Sequence, residues 1–331
     1  MKEEYENISK ILGNKLKGQK PVVDKLKIRD YNPTDVAPPF KRVMVGDEEV
    51  CYDDEKHLYF VNKPDRLPLI SVTTFIGLFE SYFDVVSSSV SCAEKPDYNC
   101  NCLDKEFWPL LSVPVRSKRI QDAWEKNKNI ATSYGSAVHA GQEYIAKHPM
   151  ASNAKIMRYL KSGVWGEQAV RKIIASQLKQ GRELIRSYRE RGYEVIAEPV
   201  LADISLGMAG QADLVLVNHE TKDIIMLDYK TNAVAPDEKP SFNNMEGLLS
   251  MFPDNPMTHY SLQQTIYSMF LKNMFPGYGV SYVALVWIHP ETGQFRQIPI
   301  DIDFWGGVVR DIFEGMRKND VLEKAYNIMN S

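Results

Sequence analysis

Two uninterrupted apolar runs, Leu214–Val217 and Ile224–Leu227, flank a short polar turn at Asn218–Lys222. Strands that read as continuous apolar runs are buried on both faces, so a layer is expected over each side of this hairpin. Each run carries one aspartate at its outer end, Asp213 and Asp228. A four-residue connection sets Asp213 opposite Asp228, where Cβ atoms are about 4.5–5.5 Å apart. Two carboxylates that close repel each other and need a shared proton or a cation. Oxygen-rich sites of this kind suit Mg²⁺ or Mn²⁺. The strand period of two puts Lys230 on the face of Asp228. Two carboxylates with a lysine two positions on form a phosphodiester-cleaving arrangement. A bound metal activates water and offsets phosphate charge. The lysine orients or deprotonates the nucleophile and stabilises the oxyanion. The plainer reading is a hairpin with a solvated Asp/Lys rim, and the rest of the chain decides between them.

The 331 residues, 44% apolar and 25% charged, are an ordinary globular mixture. Their length suggests about two domains or one larger α/β unit. No run of apolar residues is long enough to span a membrane. The charged start, Met1–Tyr5, lacks the apolar segment of a secretory signal, so a cytoplasmic location is expected. The net charge of −3 excludes a simple basic coat for nucleic acid, but the charge is segregated. Residues 10–29 hold seven Lys/Arg against one acid, and residues 155–191 hold ten against three. Cys51, Cys92, Cys100 and Cys102 lack zinc-type C-x-x-C spacing and read as reduced thiols, with a metal role as the alternative.

Residues 1–40 read as a short helix followed by an extended arm, and 41–62 as a small β-meander. Ser71 reads as a helix N-cap, and 84–106 as an irregular Cys-containing surface insertion. A helical pattern starts near Lys118 and continues through Ser136–Lys147 until Pro149. Residues 167–190 show the clearest 3.6 period, with Val170, Ile173, Ile174, Leu184, Ile185 and Tyr188 on one face. Lys172, Lys179, Arg182, Arg186 and Arg189 fall on the other face, as a solvated surface or a phosphate-tracking stripe. Strands are expected at Tyr193–Leu201, Ala212–Val217, Ile224–Lys230, Val280–Ile288 and Phe295–Ile300. Helices are expected at His259–Lys272 and Phe304–Asn327, and Pro236–Pro256 reads as disordered.

Four segments, in order, resemble the PD-(D/E)XK nuclease superfamily, in its RecB-like exonuclease branch. Gly135-Ser136-Ala137-Val138-His139 is similar to the G-x-x-x-H helix of that branch. Gly210-Gln211-Ala212-Asp213 is similar to its G-x-x-D motif, Asp228-Tyr229-Lys230 to its D-x-K core, and Gln263–Tyr267 to its Q-x-x-x-Y helix. The motifs span about half the chain, each weak alone and specific in combination. Ser71-Val72-Thr73-Thr74 also resembles the S-V-T stretch of the mitochondrial genome maintenance exonucleases and their phage relatives.

The resemblance implies a restriction-endonuclease-like α/β fold: a central mixed sheet flanked by helices, with residues 111–331 as the nuclease core. Residues 1–110 would then be a β-rich N-terminal extension, or part of one compact unit. It implies that His139, Asp213, Asp228 and the backbone carbonyl of Tyr229 are metal ligands, and that Lys230 is the catalytic lysine. Gln263 and Tyr267 would position the substrate backbone or that lysine. Glu198 would support the ligands from behind. Glu143, one turn after His139, is either a partner that fixes the imidazole tautomer or a surface acid. Ser71, Thr73 and Thr74 would bind phosphate or simply cap a helix. Tyr134 and Trp165 would stack on bases or pack in the core. Tyr82, Phe83, Phe107 and Trp108 would form a strand-separating wedge or anchor the insertion. Relatives with an iron–sulfur cluster place three cysteines downstream of the motifs; here all four precede Gly135, so no such cluster is expected.

The expected activity is therefore that of a Mg²⁺- or Mn²⁺-dependent DNA exonuclease. Its substrate would be DNA with a free end and single-stranded character, in recombination, replication or end-processing, of phage origin by resemblance. The basic segments at 10–29, 114–128 and 172–189 would guide the backbone, and a recombination or replication protein would be a partner. The rival reading is a catalytically silent DNA-binding or scaffold subunit of a larger complex. No helicase P-loop motif is present in the chain.

Overall fold

The computed structural model of the protein describes residues 2–19, 40–54, 56–63, 67–95, 98 and 108–331. The expected arm at 20–39, together with Cys100, Cys102 and Phe107, lies outside the described residues. In chain order the elements are α1 (Lys2–Gln19), β1 (Phe40–Val45), β2 (Glu48–Asp53), β3 (Leu58–Val61), β4 (Pro68–Ser71), α2 (Val72–Ile76) and α3 (Val85–Ala93). There follow α4 (Val113–Lys147), α5 (Asn153–Ser162), α6 (Glu167–Arg171), α7 (Ala175–Glu190), β5 (Glu194–Ala197), β6 (Val200–Asp203), β7 (Met208–Gln211), β8 (Leu214–Asn218) and β9 (Asp223–Lys230). The chain closes with α8 (Pro256–Met274), β10 (Gly279–Ile288), β11 (Phe295–Pro299), α9 (Ile302–Lys318) and α10 (Val321–Asn330).

The two apolar runs become β8 and β9, antiparallel, with Leu214 opposite Leu227 and Asn218 opposite Asp223. They lie inside a five-stranded mixed sheet of order β11-β10-β9-β8-β5, in which β9 and β10 are parallel. Burial on both faces is met by helices on both sides. Leu214, Leu216, Ile225 and Leu227 pack beneath Val138 and Ile145 of α4 and Leu178 and Ile185 of α7. Val215, Val217, Ile224 and Met226 face Ile266 and Phe270 of α8 and Phe313 of α9. Mixed α/β architecture follows from this sandwich.

A second, six-stranded sheet has the order β1-β2-β3-β4-β7-β6. Its strand β4 pairs parallel with β7, Ser71 opposite Ala209. It curls until β1 contacts β6, and Val50, Val61, Leu69, Val200 and Ala202 fill the concave side. The N-terminal strands are thus continuous with strands from residues 200–211, and the sheet crosses the boundary expected at 110. Tyr5, Ile8, Leu12 and Leu16 of α1 join the same core as Val321, Ala325 and Met329 of α10.

Several expectations are corrected. Part of the irregular insertion is α3, capped by Asp84, whose carboxylate accepts the Val86 and Ser87 N–H groups. The helix expected at 167–190 breaks at 172–174 into α6 and α7. The last helix divides at Asp320, which adopts a left-handed conformation at φ 52°. Pro236–Pro256 is ordered by two 3₁₀ turns and a bridge between Asn244 and Pro253. The strand expected at 193–201 is two strands in two sheets, and that division builds the site. Among the described residues, no helix is long and apolar enough to cross a membrane.

Candidate active site

Two antiparallel strands leave one sheet for the other side by side. In the five-stranded sheet β5 pairs with β8, Ala197 opposite Leu214. In the six-stranded sheet the same two chain segments pair as β6 and β7, Val200 opposite Gln211. The turn between sheets falls at Glu198-Pro199 on one segment and Ala212-Asp213 on the other. Proline has no N–H for a ladder, and Glu198 takes a left-handed conformation, φ 55°, which is uncommon outside glycine. Hydrogen bonds hold the crossing: Glu198 N–H to the Asp213 carbonyl at 3.0 Å and Ala212 N–H to the Pro199 carbonyl at 3.2 Å. The Gln211 side chain adds a bond to the Glu198 carbonyl at 3.0 Å.

This crossing brings Glu198 and Asp213 together, and the β8–β9 register puts Asp228 level with Asp213 one step beyond the Leu214–Leu227 pair. His139 arrives from the C-terminal third of α4. Its Nδ1 lies 3.2 Å from Asp213 Oδ1, while Asp213 Oδ2 accepts the Tyr229 backbone N–H at 2.6 Å. Ligand atoms of His139, Glu198 and Asp213 all fall within 4.8 Å of one another. Asp228 instead forms an ion pair with Lys230, and the Lys230 ammonium sits 4.4 Å above the Tyr260 ring.

Burial makes these charges interdependent. Burial and the Asp213 charge raise the Asp228 carboxyl, and Lys230 only partly offsets them. Burial works against ionised Asp213 too, but His139, Lys230 and the Tyr229 N–H together hold it below the usual carboxylate range. Burial would lower His139, yet Asp213 lifts it above an ordinary imidazole. Burial would also lower Lys230, but Asp228 and Asp213 keep it firmly protonated. Glu198 is raised by burial, with Lys41 opposing and Asp213 and Glu143 adding to the shift.

Two motif glycines fit the helices to the sheets. A Cβ at Gly135 would lie 3.2 Å from Thr231 Oγ1, just past Lys230, so a bare position there lets α4 sit close enough for His139 to arrive. A Cβ at Gly210 would collide with the ring of Tyr267. Tyr267 is buried, hydrogen-bonds the Gln211 backbone and receives the Gln263 amide at 3.4 Å. It therefore braces the strand leading to Asp213, while half-buried Gln263 lies nearer the surface.

The other candidates divide. Glu198, expected behind the ligands, lies with His139 and Asp213 in one group of donor atoms, and Asp228, expected as a ligand, pairs with Lys230 next to it. Glu143 pairs with Lys147, and it is Asp213 that engages the His139 ring. Ser71 caps α2 by accepting the Thr74 N–H at 3.0 Å, and its hydroxyl also bonds Thr73 and Thr74. In the basic group, Lys172 lies in the break before α7, Lys179 pairs with Glu183 at 3.8 Å, and Arg189 bonds the Ala146 carbonyl at 2.8 Å. Arg182 is half-buried and Arg186 exposed. Tyr134 and Trp108 are core residues, while Tyr82 and Phe83 are exposed. Cys51 is buried, Cys92 half-buried, and neither is bridged. The sequence reading passed over Lys41 and Tyr260. Tyr260 stands three positions before Gln263 on α8, which was a usable signal; Lys41 stands on a distant strand with none.

No protein-family model and no curated protein matches the chain. A solved structure titled "Crystal structure of SSO0001" aligns over 54% of this chain and 72% of its own, at 15% identity and a TM-score of 0.25.

Proposed function

We propose that this chain is a metal-dependent nuclease of restriction-endonuclease-like fold that hydrolyses phosphodiester bonds in DNA with a free end and single-stranded character. The observation that carries this reading is the convergence of His139, Glu198 and Asp213 beside the Asp228–Lys230 pair. One imidazole and two carboxylates fit Mn²⁺ or Mg²⁺, with the nitrogen donor favouring Mn²⁺. A bound ion there would lower the pKa of a water and offset phosphate charge. Asp213 holds His139 in place and is itself held by the Tyr229 N–H. Lys230 keeps its proton, so it acts as a fixed cation that orients the nucleophile and stabilises charge on the phosphate. Tyr260 and Asp228 fix its ammonium from two sides. A cytoplasmic setting, and a recombination or replication protein as partner, go with this reading.

The test is digestion of end-labelled single- and double-stranded DNA, and of a closed circle, with Mg²⁺, Mn²⁺ or EDTA. Metal-dependent shortening that vanishes in Lys230→Ala is the expected result. Binding without any cleavage by the wild type would overturn the enzyme reading in favour of a scaffold.

A further inference from the structure

Two carboxylates, Glu198 and Asp213, meet at the crossing, Asp228 lies beside them on β9, and each has a nitrogen partner. Asp228 has Lys230, Asp213 has His139, and Glu198 has Lys41, whose Nζ lies 3.0 Å from Glu198 Oε2. Lys41 comes from β1, a strand with no other part in the site. On the curled sheet it lies opposite Tyr52, which lies opposite Tyr59. The two phenol rings stack with centroids 4.6 Å apart, and the Glu198 charge reaches both. The row Lys41–Tyr52–Tyr59 therefore forms a wall on the Glu198 side of the site. The Lys41 side chain is 34% exposed, so it is open to solvent along part of its length. An ammonium has three donors, and the Glu198 bond uses one.

A divalent ion bound by His139, Glu198 and Asp213 competes with Lys41 for the same carboxylate. Lys41 then keeps its place on the wall but loses its counter-charge. A half-buried ammonium in that position favours a new anion, and the anion the site receives is a backbone phosphate. We propose that Lys41 is a phosphate-contacting residue of the nucleic-acid site, held in reserve by Glu198 and released to the substrate strand when a cation takes that carboxylate. The proposal rests on the nuclease reading and adds to it a substrate contact supplied by the N-terminal sheet.

The experiment is equilibrium binding of a short fluorescent single-stranded DNA in Ca²⁺ over a salt series, for wild type, Lys41→Met and Lys41→Arg. Mn²⁺ titration by calorimetry on the same proteins accompanies it. Lys41→Met is expected to weaken DNA binding roughly 3- to 10-fold at about 0.1 M salt and to flatten the log–log salt slope by about 0.7, the loss of one contact to a single strand. Lys41→Arg is expected to keep most of the affinity, and Lys41→Met to bind Mn²⁺ more tightly, because a competitor for Glu198 is gone. Tighter Mn²⁺ binding with DNA affinity and slope unchanged would make Lys41 only a counter-ion of Glu198 and overturn the proposal, while the nuclease reading stood. A wild type that neither binds nor cuts DNA overturns both. If Lys41→Met loses its native circular dichroism, Lys41→Gln, which keeps a donor toward Glu198, carries the same comparison.

Discussion

The Glu198 backbone N–H donates to the Asp213 carbonyl at 3.0 Å, at the one place where both segments pass between the two sheets. Because of that bond, the two side chains leave the backbone next to each other. If these carboxylates form a cation site, Glu198→Gln should lower Mn²⁺ affinity at least about 10- to 100-fold, the range seen even for residues one layer behind a metal. Lys230→Ala should change it only a few-fold while removing cleavage. Calorimetry with Mn²⁺ measures both, and equal losses in the two variants would contradict this division of roles.

Gly210 faces the Tyr267 ring with no room for a methyl group. Gly210→Ala should force β7 or α8 to shift and destabilise the fold by about 1–3 kcal/mol, as overpacking does. Urea unfolding measures the cost. Pairing the change with Tyr267→Leu, which removes the colliding ring atoms, should recover part of it; a double variant that only adds the two losses would show that the ring is not the obstacle.

The β8–β9 hairpin was legible because its pattern is local. The apolar runs, the short turn and the two aspartates set register and face together, and Leu214 does lie opposite Leu227. Gly135 and Gly210 were visible as motif letters, though only packing shows that one admits Thr231 and the other Tyr267. The position of Glu198 within 4.8 Å of His139 and Asp213 was hidden because Tyr193–Leu201 reads as a single strand. The break is a single left-handed residue before Pro199, and periodicity does not register a change of sheet. Lys41 was illegible for another reason: its contact is 157 residues away in sequence, and no local pattern reports a sheet that curls until its ends meet.

Asp254 joins the loop before α8 to the segment after α2. It accepts the Ser81 hydroxyl at 2.6 Å, the Ser81 N–H at 2.7 Å and the His259 ring at 2.6 Å. Burial raises its carboxyl, but the Ser81 bonds and His259 outweigh burial and hold it below the ordinary value of 3.8. A depressed native pKa stabilises the fold above the unfolded value and loses that contribution as pH falls through the native one. Wild type should therefore exceed Asp254→Asn in stability near neutrality, and the gap should narrow below about pH 3.8. Urea midpoints of the two proteins across pH 2.5–7 provide the comparison, with a pH-independent gap as the contrary outcome.

Leu12 of α1 is 1% exposed and shares a core cluster with Val217 of β8, Phe313 of α9 and Ala325 of α10. The first helix of the chain is thus packed into the same interior as the hairpin that carries Asp213 and Asp228. Replacing Leu12 by Ala should leave a cavity there and cost about 2–5 kcal/mol. Were residues 1–110 an independent extension, that loss would fall on an early transition of its own and leave the hairpin's unfolding where it was. With the core shared, the whole transition should move. Denaturant unfolding followed by tryptophan fluorescence, which includes Trp287 of β10 beside the site, and by far-ultraviolet circular dichroism distinguishes the two: coincident, equally shifted curves are expected for Leu12→Ala, and a fluorescence curve that stays put would return the N-terminal region to the status of a separate domain.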